Sequence, residues 1–285
     1  MRLATFMADG HERVGIVVGD GVVDLSNGPF PSTMIGLIEA WAKIEADVRR
    51  FAAAAKPHYS LSQVRLRAPV PRPPKILAIG LNYADHIAET GRERPQRQVW
   101  FAKMSNAVNG PYDPIQIPRV SNDVDYEAEF VFVVGKRCRH VPRGKAHEVV
   151  FGYCAGNDVS VRDWQAASPQ WILGKSFDTH APFGPWIVTA DEVGDPHTLG
   201  IRCLLNGEVR QNSNTRHLVF NIFDQIAHLT EAMTLEPGDV IFTGTPGGVG
   251  VAMKPPGYMK AGDTVRVEID KIGALEARLI PEPEL

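Results

Sequence analysis

The chain has 285 residues, 44% of them hydrophobic and 22% charged, with 30 lysines and arginines against 33 aspartates and glutamates. A net charge of -3 with no block of like charge argues against nucleic acid or a membrane surface as partner, and the apolar share suffices for one large domain or two unequal ones. Cys138, Cys154 and Cys203 are widely spaced with no CxxC, which speaks against a disulfide framework or zinc knuckle and fits a reducing cytoplasm. The opening MRLATFMADGHERV lacks a long apolar core, so no signal peptide is expected, and no apolar run is long enough to cross a bilayer.

Residues 1 to 26 alternate apolar and polar around Gly10, Gly19 and Gly21, which predicts small antiparallel strands. Met34, Leu37, Ile38, Trp41, Ile44, Val48 and Phe51 then recur at helical spacing, with Ser32 or Thr33 placed to cap the helix. Prolines at 69, 71, 73 and 74 can hold neither helix nor ladder, so a boundary is expected between a small domain, 1–70, and a larger one, 71–285. Beyond it, strands are predicted at 76–80, 130–134, 186–189, 201–205, 239–243 and 264–269, and a helix near 215–232. Strands dominate without regular helix alternation, so the class is α+β and a doubly wound parallel sheet is disfavoured.

The run DVDYEAEFVFVV, 123–134, places Glu127 and Glu129 on one face of a strand, roughly 7 Å apart at their origins. A solvated strand end is one reading and a cation between the carboxylates the other. A metal would need a further oxygen ligand, and Asp158, after a flexible Gly156–Asn157 turn, is the best candidate. Three carboxylates without His or Cys select Mg²⁺, Mn²⁺ or Ca²⁺ rather than zinc. His86 and Glu89, at i and i+3 on a short helix, make either a general base or a surface ion pair. The polar stretch 91–98 after them reads as a lid or a plain loop. Lys175 fails the phosphate-loop pattern, since Pro169 stands where a glycine is needed; it either faces the carboxylates as a buried cation or snorkels to solvent. Thr243 and Thr245 among glycines suit a carboxylate, or the glycines serve a tight connection.

Together IGLNYADHIAE, DYEAEFVFVVGKRC, GNDVSVRDWQ, GKSFDTHAPFGPWI and TLEPGDVIFTGTPGGVG resemble the fumarylacetoacetate hydrolase family, in order and from about Lys75 to Gly273. The resemblance implies a mixed β-roll or sandwich with a small N-terminal α+β domain, assembled as a homodimer. It implies Mg²⁺ or a similar ion on Glu127, Glu129 and Asp158, a lid His and Glu at His86 and Glu89, and an active-site lysine at Lys175. It likewise implies substrate contacts from Gln165 and Thr245. Two departures are Met104, where relatives often have proline and which could reshape a pocket wall, and the tail IDKIGALEARL.

The expected reaction is metal-dependent hydrolysis of an acylpyruvate or related β-diketo acid to pyruvate and a carboxylate. The same site supports isomerisation of a hydroxymuconate-type diacid or decarboxylation of oxaloacetate. From other classes, a non-catalytic binder of metal and keto acid, or a Ca²⁺-stabilised structural domain, remains open at this point.

Overall fold

A computed structural model describes residues 1–91 and 93–284. The chain opens with β1 (Arg2–Ala8), β2 (His11–Val18), β3 (Gly21–Asp24), α1 (Met34–Ala54), β4 (Tyr59–Ser60) and β5 (Arg65–Leu66). It continues through β6 (Ile76–Gly80), α2 (Ala84–Thr90), β7 (Val99–Ala102), β8 (Val108–Asn109), β9 (Ile115–Ile117), β10 (Val124–Asp125) and β11 (Ala128–Val134). Next come β12 (Val150–Asn157), β13 (Ser160–Val161), α3 (Arg162–Ala166), β14 (Ala181–Thr189), α4 (Ala190–Val193), β15 (Gly200–Leu205) and β16 (Glu208–Asn214). The last elements are α5 (Ile222–Ala232), β17 (Val240–Phe242), β18 (Thr264–Ile269) and β19 (Gly273–Pro281).

The main sheet runs β4-β3-β2-β1-β14-β12-β11-β17-β6-β7, and a second runs β16-β15-β18-β19-β9. This is the strand-dominated α+β class expected. The period-two pattern of β11 sets the layering. Phe130, Phe132 and Val134 pack with Ile201, Cys203, Val265 and Val267 of the second sheet and with Ile222 and Ile226 of α5. Val131 and Val133 face the other way, into a core shared with Met34, Leu37, Ile38 and Val48 of α1. A strand buried on both faces fixes its own register strongly, because a one-residue slip would exchange two different cores.

Strand β1 pairs with β14 through Arg2↔Val188 and Leu3↔Ile187, so the main sheet is continuous across the expected division at residue 70. The proline-rich stretch 67–75 itself holds neither helix nor strand. Thr33 Oγ1 caps α1 by accepting from Gly36 N at 3.1 Å.

Two expectations are corrected. The helix placed near 215–232 begins only at Ile222, because the Asn221 side chain accepts from Phe223 N and Asp224 N and ends the irregular stretch there. Gly156 and Asn157 form no turn; they are the buried last residues of β12, paired with Glu129 and Ala128.

Candidate active site

Four strand termini meet at one end of the main sheet. β11 lies antiparallel to β12 and β17, and β17 lies parallel to β6, so the start of β11 sits beside the ends of the other three. That register sets Glu127 and Glu129, Asp158, the Thr243–Gly248 loop and the Gly80–Tyr83 turn around one space. Asn82, fully buried, binds the turn to the loop: its Nδ2 donates to Thr243 O at 2.7 Å and Phe220 O at 3.0 Å.

Ligand oxygens of Glu127, Glu129 and Asp158 lie within 4.8 Å of one another, and all three side chains are buried. The solvated strand end is therefore not what the fold builds. Lys175 takes the buried reading, its ammonium donating to Glu127 Oε2 at 2.8 Å and Asp158 Oδ2 at 2.6 Å. It also stands 4.9 Å from the centroid of the Phe101 ring. Burial raises the Glu127 carboxyl, but Lys175 and then Arg162 outweigh it and hold that group below the usual carboxylate range. Glu129 moves the other way: burial, then the charges of Asp158 and Glu127, push it well above that range. Among the described residues its one hydrogen-bond donor is Gly244 N, at 2.6 Å from Oε2. Gly244 has φ +100, and a Cβ there would sit 2.8 Å from the Asn82 Cβ, so only glycine lets the loop present that amide.

Helix α2 carries the next pair, with His86 Nδ1 2.7 Å from Glu89 Oε1. The other Glu89 oxygen accepts from Gly248 N at 2.8 Å, and Asp85 accepts from Ser213 Oγ at 2.7 Å, which clamps the helix to the glycine loop and β16. Thr245 Oγ1 accepts from Gln211 Nε2 at 2.8 Å. Arg162 Nη1 lies 2.9 Å from Gln165 Oε1 and 2.6 Å from Glu127 Oε1, so α3 fixes Gln165 and one carboxylate of the triad through one guanidinium.

A cavity of about 550 Å³ is lined by His86, Glu89, Glu127, Arg162, Gln165, Lys175 and Thr245, with Phe101 and Trp171 as apolar walls. Glu129 and Asp158 are not among the residues that line it. No described residue from 91 to 98 lines this cavity, Arg92 lies outside the described residues, and Met104 is solvent-exposed away from it.

Sequence reasoning missed Lys103 and Arg162. Lys103 Nζ reaches Asp158 Oδ1 at 2.5 Å and Val159 O at 3.2 Å from a fully buried position. Burial lowers its affinity for a proton, and Asp158 opposes this. Its signal was a lone lysine in FAKM at the end of a strand. Arg162 is also held by Asp125 Oδ2, 2.8 Å from Nε.

The donor set fits a hard divalent cation: three buried carboxylates, converging, one of them with its proton affinity raised by burial and then by the charges of Asp158 and Glu127. A strand-built fold with a carboxylate triad at the sheet end and a polar cavity in front of it has the donor set for a hard cation beside a space for a small polar molecule. The family model "Fumarylacetoacetate (FAA) hydrolase C-terminal" matches residues 75–280. The chain belongs to the fumarylacetoacetate hydrolase family. It is 42% identical to the mitochondrial oxaloacetate tautomerase Fahd2a of Rattus norvegicus over 98% of this chain and 92% of the relative. Among solved structures, maleylpyruvate hydrolase from Sphingobium sp. SYK-6 aligns with a TM-score of 0.84 at 36% identity, covering 99% of this chain and 100% of that one. The same enzyme has been solved with manganese(II) and pyruvate. A 5-carboxymethyl-2-hydroxymuconate delta-isomerase from Mycobacterium smegmatis aligns with a TM-score of 0.79 at 35% identity, over 100% of both chains. By their names these relatives are enzymes of small keto acids, and no helix among the described residues of this chain is long and apolar enough to cross a membrane.

Proposed function

We propose that the chain is a divalent-metal-dependent hydrolase that cleaves a carbon–carbon bond in an acylpyruvate, releasing pyruvate and a carboxylate. The observation that carries this reading is the hydrogen-bonded His86–Glu89 pair on the wall of the cavity that Glu127 and Lys175 also line. Mg²⁺ or Mn²⁺ held by Glu127, Glu129 and Asp158 would supply Lewis-acid polarisation of the keto acid's oxygens.

Nδ1 is turned to Glu89 and Nε2 has no partner among the described residues, so Nε2 takes a proton from water and the Glu89 carboxylate stabilises the imidazolium that forms. The water oxygen adds to the distal carbonyl, and the Lys175 ammonium offsets the negative charge that develops. The C–C bond then breaks, its electron pair passing to the pyruvate half as an enolate, which takes the proton back from His86 at carbon. Gln165 and Thr245 orient the substrate, each held by its own partner, Arg162 or Gln211.

A second reading is favoured by the 42% identity with an oxaloacetate tautomerase. There His86 would move a proton between carbon and the enol oxygen and no carbon–carbon bond would break. The test is to offer purified protein with Mn²⁺ either acetylpyruvate or enol-oxaloacetate. Equal amounts of pyruvate and acetate from the first support the hydrolase. Loss of enol absorbance from the second without pyruvate release supports the tautomerase, and inertness toward both contradicts the two together.

A further inference from the structure

We propose that Gln211, a residue of the second sheet that does not itself line the cavity, is a positioning residue of the site: it commits the Thr245 hydroxyl to donating into the cavity. The proposal rests on the keto-acid reading above and adds the direction of one hydrogen bond and the residue that sets it. Gln211 is the one fully buried residue of β16, and it adjoins a bulge across which Cys203 faces Gln211 and Leu204 faces Val209. A bulge of this kind re-aims a side chain. Here the side chain reaches the start of β11 and the glycine loop together. Its Oε1 accepts from Ala128 N at 2.9 Å, and its Nε2 donates to Thr245 Oγ1 and to Pro246 O, each at 2.8 Å. Ala128 stands between Glu127 and Glu129, so one amide joins the strand of the triad to the loop.

The two ends of that amide cannot be exchanged. A backbone N–H only donates and a backbone carbonyl only accepts, so Ala128 claims the oxygen and Pro246 the nitrogen. The two Nε2 protons then have one acceptor each, Pro246 O and Thr245 Oγ1. Thr245 Oγ1 is thereby an acceptor toward the protein, and its own proton must go elsewhere. No group among the described residues accepts it, and Thr245 lines the cavity. The other threonine of the loop supplies the contrast: Thr243 Oγ1 donates to Phe130 O at 2.7 Å, so its proton is spent inside the fold. A hydroxyl with its acceptor side fixed and its proton unspent offers a donor already aimed at an oxygen anion, with little reorientation left for binding to impose.

The test is a double-mutant cycle read by titration calorimetry of pyruvate into Mn²⁺-saturated protein. Thr245→Val keeps the side-chain shape and removes the proton, and is expected to weaken pyruvate binding about tenfold. Gln211→Met keeps the volume and leaves the Thr245 hydroxyl free to turn. It is expected to cost about fivefold alone and under about twofold in the Thr245→Val background, because its effect runs through Thr245. Equal losses in the two backgrounds would make Gln211 a structural residue only and overturn the proposal. So would Thr245→Val binding pyruvate as wild type does, a result that decides the matter even where Gln211→Met fails to fold. No pyruvate bound by wild type would overturn the keto-acid reading, and the proposal with it.

Discussion

The ammonium of Lys175 lies 2.6 Å from the Asp158 carboxylate, and both side chains are shut away from water. A buried pair of this kind is only a modest source of stability while intact, but removing one partner strands the other. Lys175→Met should therefore destabilise the metal-free protein by about 3 kcal/mol or more, since Glu127 and Asp158 both lose a donor. Urea unfolding in EDTA measures this, and an unchanged midpoint would count against it.

Glu129 predicts an opposite pattern. Its carboxyl is held in a site that disfavours the charge, through burial and the charges of Asp158 and Glu127. Glu129→Gln keeps an acceptor for Gly244 N and removes the like charge, so the variant should melt no lower than wild type in EDTA. Wild type should gain about 2.7 kcal/mol at Mn²⁺ a hundredfold above its dissociation constant, and the variant should gain far less. Thermal melts of both proteins with and without Mn²⁺ decide it.

Gly174 is a packing prediction. A Cβ there would sit 2.4 Å from the backbone nitrogen of Gln165, with no flexible atom to yield. Gly174→Ala should push α3 outward, cost about 1 to 3 kcal/mol and raise the KM for any keto acid more than it lowers thermal stability would suggest, because Gln165 moves. A crystal structure of the variant with Gln165 unmoved would refute it.

His180 carries a pH signature. Burial holds its imidazole down at about 4 from an ordinary 6.5, while Nε2 stays bonded to Gln116 O at 2.8 Å. Because the folded value is the lower one, the unfolded chain binds the extra proton between pH 6.5 and about 4, and stability is lost as pH falls through that window. The loss amounts to about 3 kcal/mol at most. His180→Gln, which keeps a donor toward Gln116, should show a shallower fall over the same range, read as the difference between the two urea midpoints at each pH.

The strands and the Glu127–Glu129 pair were legible because both depend on local period. Alternation around Glu127 and Glu129 placed Phe130 and Phe132 opposite Val131 and Val133, and those sets do enter different cores. Glu127 itself stands one residue before β11, a boundary that alternation cannot see. Asp158 was named for the wrong local reason, a turn, whereas strand pairing of Ala128 with Asn157 delivers it. Lys103, Arg162 and Asp125 were not legible at all. Lys103 meets Asp158 55 positions away and Arg162 meets Asp125 37 positions away, so the fold rather than the local pattern gives them their roles.

The central claim, that His86 moves the proton in front of the carboxylate triad, is tested most directly by the initial rate of pyruvate release from acetylpyruvate with Mn²⁺. His86→Ala is compared with wild type at matched 2-oxopentanoate affinity and melting temperature. The account predicts a fall in kcat of about a hundredfold to ten-thousandfold, with fold and keto-acid binding intact. Equal rates in the two proteins would contradict it.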